Sequence, residues 1–269
     1  MNIRKLIYAV IIAICIVAVV LAGIWQFGKG KNKENNYSVS SKSQEILKKE
    51  FNTLLDNKAN FEGYDFSEVK KKDNEKQVVY TAYELEENEK DKYEVDLHIP
   101  LINIDSNVAD EFNLNTQKIF ADKANSIFQS ASTYTIYSID YTSFVNKDIL
   151  CVIIKSNLKE GTNAQRTITQ IYNYNLKTGK EETIEDAISK RGVSKEYVEE
   201  KIKQEVSNSI EDANKIKVSG YETFERDINS DEYKFENLTN FYLSSNGKMY
   251  IIFAYGNTNF TSEMDIIEI

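Results

Sequence analysis

The chain opens on an uninterrupted apolar run, LIYAVIIAICIVAVVLAGIW, that contains no charged residue. At 1.5 Å of rise per residue, a helix of this length spans roughly the 30 Å of a hydrocarbon core. Tyr8 and Trp25 stand near its two ends, where amphipathic rings favour the lipid–water interface. The pattern predicts a single-pass transmembrane anchor over 6–27. A cleaved signal peptide is the alternative, since VLA ending at Ala22 is a usable cleavage site, but the run is longer than a usual signal core. The stretch 28–43 is polar, carries no period and reads as a flexible tether.

Beyond the tether the period alternates between helix and strand. Ile46, Leu47, Phe51, Leu54 and Leu55 recur at helical spacing, with Ser43 as a candidate N-cap. QVVYTAYEL and YEVDLHIPLI alternate as strands, with EENEKDK between them as the expected hairpin connection. Pro100 is expected at a strand end or edge, because it donates no ladder hydrogen bond. From Ser106 a helical stripe runs through Val108, Phe112, Ile119, Ala124, Ile127, Phe128 and Ala131. Strands resume at YTIYSIDYTSF, ILCVIIKSNL and RTITQIYNYNL, the last closed by a KTGK turn. TIEDAI begins a short helix with Thr183 and Asp186 as a variant capping box. Val198, Ile202, Val206, Ile210 and Ala213 mark a second long helix capped by Ser194. NFYLS, MYIIFAY and EMDIIEI end the chain as strands. Runs of strands and helices in mixed order indicate an α+β fold with antiparallel sheets and two long amphipathic helices.

Charge changes the picture of partners. The whole chain carries a net of −9; setting aside Arg4 and Lys5 before the apolar run, the rest carries −11. Such a field repels nucleic acid and anionic headgroups and attracts cations. The lysines at 29, 31 and 33 leave the orientation of the anchor undecided by charge, and a large following domain can translocate regardless of so small a bias. We expect that domain outside the cytoplasm.

Candidate chemistry is sparse. His98 is the only histidine, on the polar face of its strand, with no local nucleophile beside it. Cys15 lies in the anchor, and Cys151 in an apolar strand reads as a buried hydrophobe. Neither a metal site nor a cofactor is expected, because transition-metal sites need several His or Cys ligands and no loop has a calcium spacing. The carboxylates Glu181, Glu182, Glu185 and Asp186 form the best acid cluster, but the start of a helix accounts for Glu185 and Asp186. No catalytic residue is assigned. Tyr172, Tyr174, Tyr242, Tyr250 and Tyr255 alternate on the predicted strands and are the candidate ligand contacts, with ordinary sheet packing as the competing explanation.

Three segments carry a resemblance. YEVDLHIP followed by a helix resembles the N-terminal half of the extracytoplasmic module of PdaC-type peptidoglycan deacetylases. IYNYNLKTGKEETIEDAI resembles the signature strand, turn and short helix of the C-terminal half, and FYLSSNGKMYIIFAYGN with EMDIIEI resembles its closing strands. The same module forms the extracytoplasmic part of RsiV-type anti-sigma factors, which bind lysozyme. Where family members often carry a Gly-Gly-Ala-His loop, this chain has EGTNAQRT. No deacetylase domain is expected from this sequence, and with five residues ahead of the anchor no sigma-binding domain is expected there. The resemblance implies two halves, 44–132 and 133–269. It also implies a non-catalytic binding module on a membrane tether, facing the cell wall and taking peptidoglycan or a cationic wall-active protein. A carboxylate-dependent wall hydrolase and a structural partner of another membrane protein are the alternatives.

Overall fold

The structure, a computed structural model, describes residues 43–130, 132–215, 224–244 and 246–269. The expected anchor at 6–27 lies outside the described residues, as does the tether apart from Ser43. Among the described residues no helix is long and apolar enough to cross a membrane. The first element is helix α1 (Gln44–Leu54), which buries Leu47 and Phe51. Ser43 precedes it, but its side chain makes no capping hydrogen bond.

Six strands then build one sheet in sequence order: β1 (Val79–Glu89), β2 (Tyr93–Ile102), β3 (Thr135–Asn146), β4 (Ile149–Glu160), β5 (Arg166–Asn175) and β6 (Lys180–Glu181). Every neighbouring pair is antiparallel except β2 and β3, which run parallel. A parallel pair needs a crossover. Here it is helix α2 (Asn107–Thr116), a π turn (Gln117–Ala121) and helix α3 (Asp122–Ser130). Ala109, Phe112, Phe120, Ala124 and Ile127 cover one face of the sheet, packing on Val95, Leu97, Ile139, Val152, Ile154 and Tyr172.

The opposite face of β4 and β5 is covered by α1 and by a second antiparallel sheet, β7 (Phe241–Leu243), β8 (Met249–Tyr255) and β9 (Glu263–Glu268). Cys151, Ile153 and Ile171 meet Phe51, Tyr242, Ile252 and Ile266 there. The far side of the small sheet packs on α4 (Ile184–Ser189) and α5 (Lys195–Lys215) through Val198, Ile202, Val206, Met249, Ile251 and Ile267. The architecture is mixed α+β, in layers of helix, sheet, sheet and helix. The halves expected at 44–132 and 133–269 share one sheet and one core, because β2 pairs with β3 and α2 packs on β5.

Several expectations need correction. The EENE of the supposed hairpin connection belongs to β1, and the turn is only Lys90–Lys92, with Asp91 at a φ of 65°. Exposed carboxylates are tolerated there because β1 is an outer strand. The single helical stripe is broken by the π turn, whose extra residue explains the five-residue step from Ile119 to Ala124 and buries Phe120. Pro100 lies inside β2 rather than at its end, on a stretch paired with β1 alone, so of the two expected places it takes the edge. It stands opposite the shift of register in β1 between Thr81 and Tyr83, past Leu97, where β3 stops pairing with β2. Its missing N–H therefore interrupts little.

Phe51 is the side chain through which α1 enters the core, fully buried against Tyr242 with ring centroids 6.2 Å apart. Phe51→Ala is expected to cost about 3–5 kcal/mol, whereas Leu114→Ala on an exposed helix face should stay within about 0.5 kcal/mol. Urea denaturation of the two variants measures both.

Candidate functional site

The small sheet and α1 cover β4, β5 and the end of β3 on their shared face, where Phe144 meets Tyr242. Along β1, β2 and the first half of β3 no described element covers that face, and the strand period places Glu84, Glu86, Glu94, Asp96, His98 and Asp140 on it. His98 is its centre. Nε2 lies 3.3 Å from Glu84 across the β1–β2 pair, and Nδ1 lies 3.3 Å from Asp140 on β3 and 3.5 Å from Asp96 on its own strand. None of these oxygens is aligned for a hydrogen bond to Nδ1. The imidazole side chain is mostly covered while the three carboxylates stay about half exposed or more. Asp140 also faces Lys155 across the β3–β4 ladder. The Lys155 ammonium donates to Asn52 Oδ1 at 2.8 Å. Burial lowers its pKa below the usual lysine value, and Asp140 pulls the other way.

This arrangement holds carboxylates at strand spacing on a rigid support, suited to accepting ammonium or guanidinium donors. No hydroxyl or thiol pairs with His98 among the described contacts. Cys151 is fully buried, and burial pushes its thiol pKa far up, so it is inert.

The five candidate tyrosines do not share a surface. Tyr172 and Tyr174 are buried under the crossover helices, Tyr172 stacking on Phe112 at 4.5 Å between centroids. Tyr242 and Tyr250 stack on one another at 5.0 Å between the two sheets, and Tyr250 donates to Glu268 at 3.1 Å. Burial and Glu268 push the Tyr250 hydroxyl up to about 12. Tyr255 is half-buried beneath the Arg226 guanidinium, 4.1 Å from its ring centroid.

The acid cluster is dispersed as well. Glu182 is buried, held by Lys190 at 2.6 Å and by the Asn175 amide at 3.2 Å. Asn175 Oδ1 in turn accepts from the backbone of Lys177 and Thr178, forming the turn of the signature segment. Glu181 points away from Glu182, its carboxyl pushed up by burial and by Glu111. Glu185 lies 3.4 Å from Lys195. Asp186 closes the capping box with Thr183, whose hydroxyl donates to it at 2.8 Å.

No family model and no curated protein matches this chain. Solved structures similar to it in part include two. One is a DUF3298 family protein of Pseudomonas aeruginosa PAO1, at 10% identity and a TM-score of 0.37, over 67% of this chain and 83% of that one. The other is a DUF3298 family member of Bacteroides fragilis NCTC 9343, at 12% identity and a TM-score of 0.31, over 59% and 61%.

Sequence reasoning missed the ion pair of Arg226 with Asp265, both side chains almost wholly buried. Burial pushes the Asp265 carboxyl up, opposed by Arg226 and by the Ser209 hydroxyl. Its one sequence signal is an acid in the middle of the apolar run MDII. Removing one partner strands a buried charge, so Arg226→Met is expected to cost about 3–5 kcal/mol. The double change with Asp265→Leu should restore much of the loss, and chemical denaturation of the set measures the coupling.

Asp186 gives a pH signature. Hydrogen bonds from the Thr183 side chain and backbone hold its pKa below the ordinary aspartate value. Its contribution is therefore complete above that ordinary value and disappears as pH falls through the lowered one. Asp186→Asn should cost about 0.5–2 kcal/mol at neutral pH, and the gap to the parent protein should close in acid denaturation series.

Proposed function

We propose that the chain is a membrane-anchored, non-catalytic binding module displayed outside the cytoplasm, and that its ligand is a cationic wall-active protein. The observation that carries this reading is the part of the large sheet's face that no described residue covers. A sheet lying between other layers has most of its two faces buried, yet here strands β1–β3 present Glu84, Glu86, Glu94, Asp96 and Asp140 to solvent. The net charge of the chain adds a long-range field of the same sign, which speeds encounter with a basic partner. The apolar run at 6–27 supports the anchor, and the resemblance to wall-facing modules supports the location.

Peptidoglycan is the weaker ligand. Glycan recognition favours exposed aromatic platforms, and four of the five candidate tyrosines are buried. A carboxylate hydrolase is disfavoured by the engagement of Glu182 with Lys190 and of Asp186 with its cap.

Calorimetric titration of the full chain in mild detergent, with lysozyme and separately with muropeptides, tests the reading. Lysozyme should bind and lose affinity as salt shortens the Debye length. The triple change Glu84→Gln, Asp96→Asn, Asp140→Asn should weaken it by about tenfold or more. Muropeptide binding without lysozyme binding would reverse the assignment of ligand, and heat with neither would remove the module's proposed role.

A further inference from the structure

The outer side of β1 is paired with no described strand. From Ala82 to Asn88 every residue but Leu85 is exposed, and Leu85 is half-buried. Alternate backbone N–H and C=O groups along such an edge point outward, ready to pair with an added strand. The carboxylates of this edge stand on both faces of the sheet. Glu84 and Glu86 lie opposite His98 and Asp96 on the open face, while Glu87 and Glu89 lie opposite Val95 and Tyr93 on the other.

An added strand sends its side chains alternately to the two faces. On each face some of them would come to rest beside a carboxylate, Glu84 or Glu86 on one and Glu87 or Glu89 on the other. A second copy of this edge would set glutamate against glutamate, and like charges directly opposite are destabilising. A basic segment meets opposite charge on both faces. The shift of register between Thr81 and Tyr83 disturbs the edge at its start and leaves Tyr83–Glu89 as the regular stretch. Glu89 also pairs with Lys92 at 2.5 Å and Glu87 accepts from Tyr93 at 3.3 Å, so these two acids are held in place.

We propose that the outer edge of β1, over Tyr83–Glu89, takes an extended lysine- or arginine-rich segment of the partner protein by strand addition. Backbone pairing supplies affinity, and the glutamates on both faces select basic side chains and exclude self-pairing. The inference rests on the cationic-partner reading and names the part of the surface that engages the partner's chain.

The test uses the full chain and two short peptides of a Lys-Lys-Val-Val repeat, which sends lysines to both faces, one with free amides and one N-methylated at every amide. Both carry the same charge, and only the first can join a sheet. The free-amide peptide should bind, weaken with salt, and slow amide hydrogen exchange over Ala82–Asn88. The N-methylated peptide should bind at least about tenfold more weakly. The exposed pair Glu86→Lys and Glu87→Lys should weaken the free-amide peptide to a similar degree. Equal binding of the two peptides, or protection outside β1, would overturn strand addition. Lysozyme titrated in parallel separates the two readings. If lysozyme binds and the free-amide peptide does not, the edge proposal alone fails; if neither binds, the cationic-partner reading fails with it.

Discussion

The fold depends on β4 being buried on both faces. Its first residues, ILCVII, leave no polar side chain among them, and the strand period then divides them between two cores. Leu150, Val152 and Ile154 face the crossover helices, while Cys151 and Ile153 face α1 and the small sheet. A strand of this kind cannot lie at a surface, so both layers must be present for the large sheet to be stable. That requirement joins the segments before and after residue 132 into one folding unit, and makes α1 a structural member of the domain.

Polar groups fix how the layers meet. The Asn173 amide donates to the Phe241 carbonyl at 2.8 Å, and Asn240 accepts from the Ile171 backbone at 3.1 Å, so β5 and β7 are stitched where neither could pair as an ordinary ladder. Gln44 does the same at the other side, donating to the Ile266 carbonyl and accepting from its N–H, both at 2.9 Å. Buried polar groups left without such partners would each cost about 1–3 kcal/mol, which makes these contacts selective for one docking arrangement. The pair of Arg226 with Asp265, capped by the Tyr255 ring, acts likewise between the segment after α5 and β9.

The proposed function follows from where this covering stops. Among the described residues the small sheet spans β4, β5 and the end of β3 but not β1, β2 or the start of β3, and β2 alternates core residues with outward carboxylates. Tyr93, Val95 and Leu97 are buried while Glu94 and Asp96 are exposed. The acidic face and the acidic edge are therefore adjoining parts of one surface, held rigid by the core behind them. On the proposed reading, recognition of a basic partner needs no moving part.

Local patterns reveal the elements well because strand and helix periods are properties of neighbouring residues. MYIIFAY is β8 from end to end, and the Thr183–Asp186 capping box forms as its spacing implies. Even the π turn leaves a trace, in the five-residue step from Ile119 to Ala124. The tyrosines show the limit. Alternation identifies Tyr172 and Tyr242 as sheet residues, but only the stacking of layers decides that both faces of those strands are covered. The meeting of Glu84, Asp96, His98 and Asp140 likewise depends on the parallel pairing of β2 with β3 across a helical crossover, as does the burial of Arg226 against Asp265 on the pairing of distant segments. Residue order alone sets the apolar run, the elements, the acidic balance and the lack of spaced metal ligands, since each is a local or summed property. Tertiary structure decided which faces are covered and which charges meet, because those depend on contacts between residues far apart in the chain.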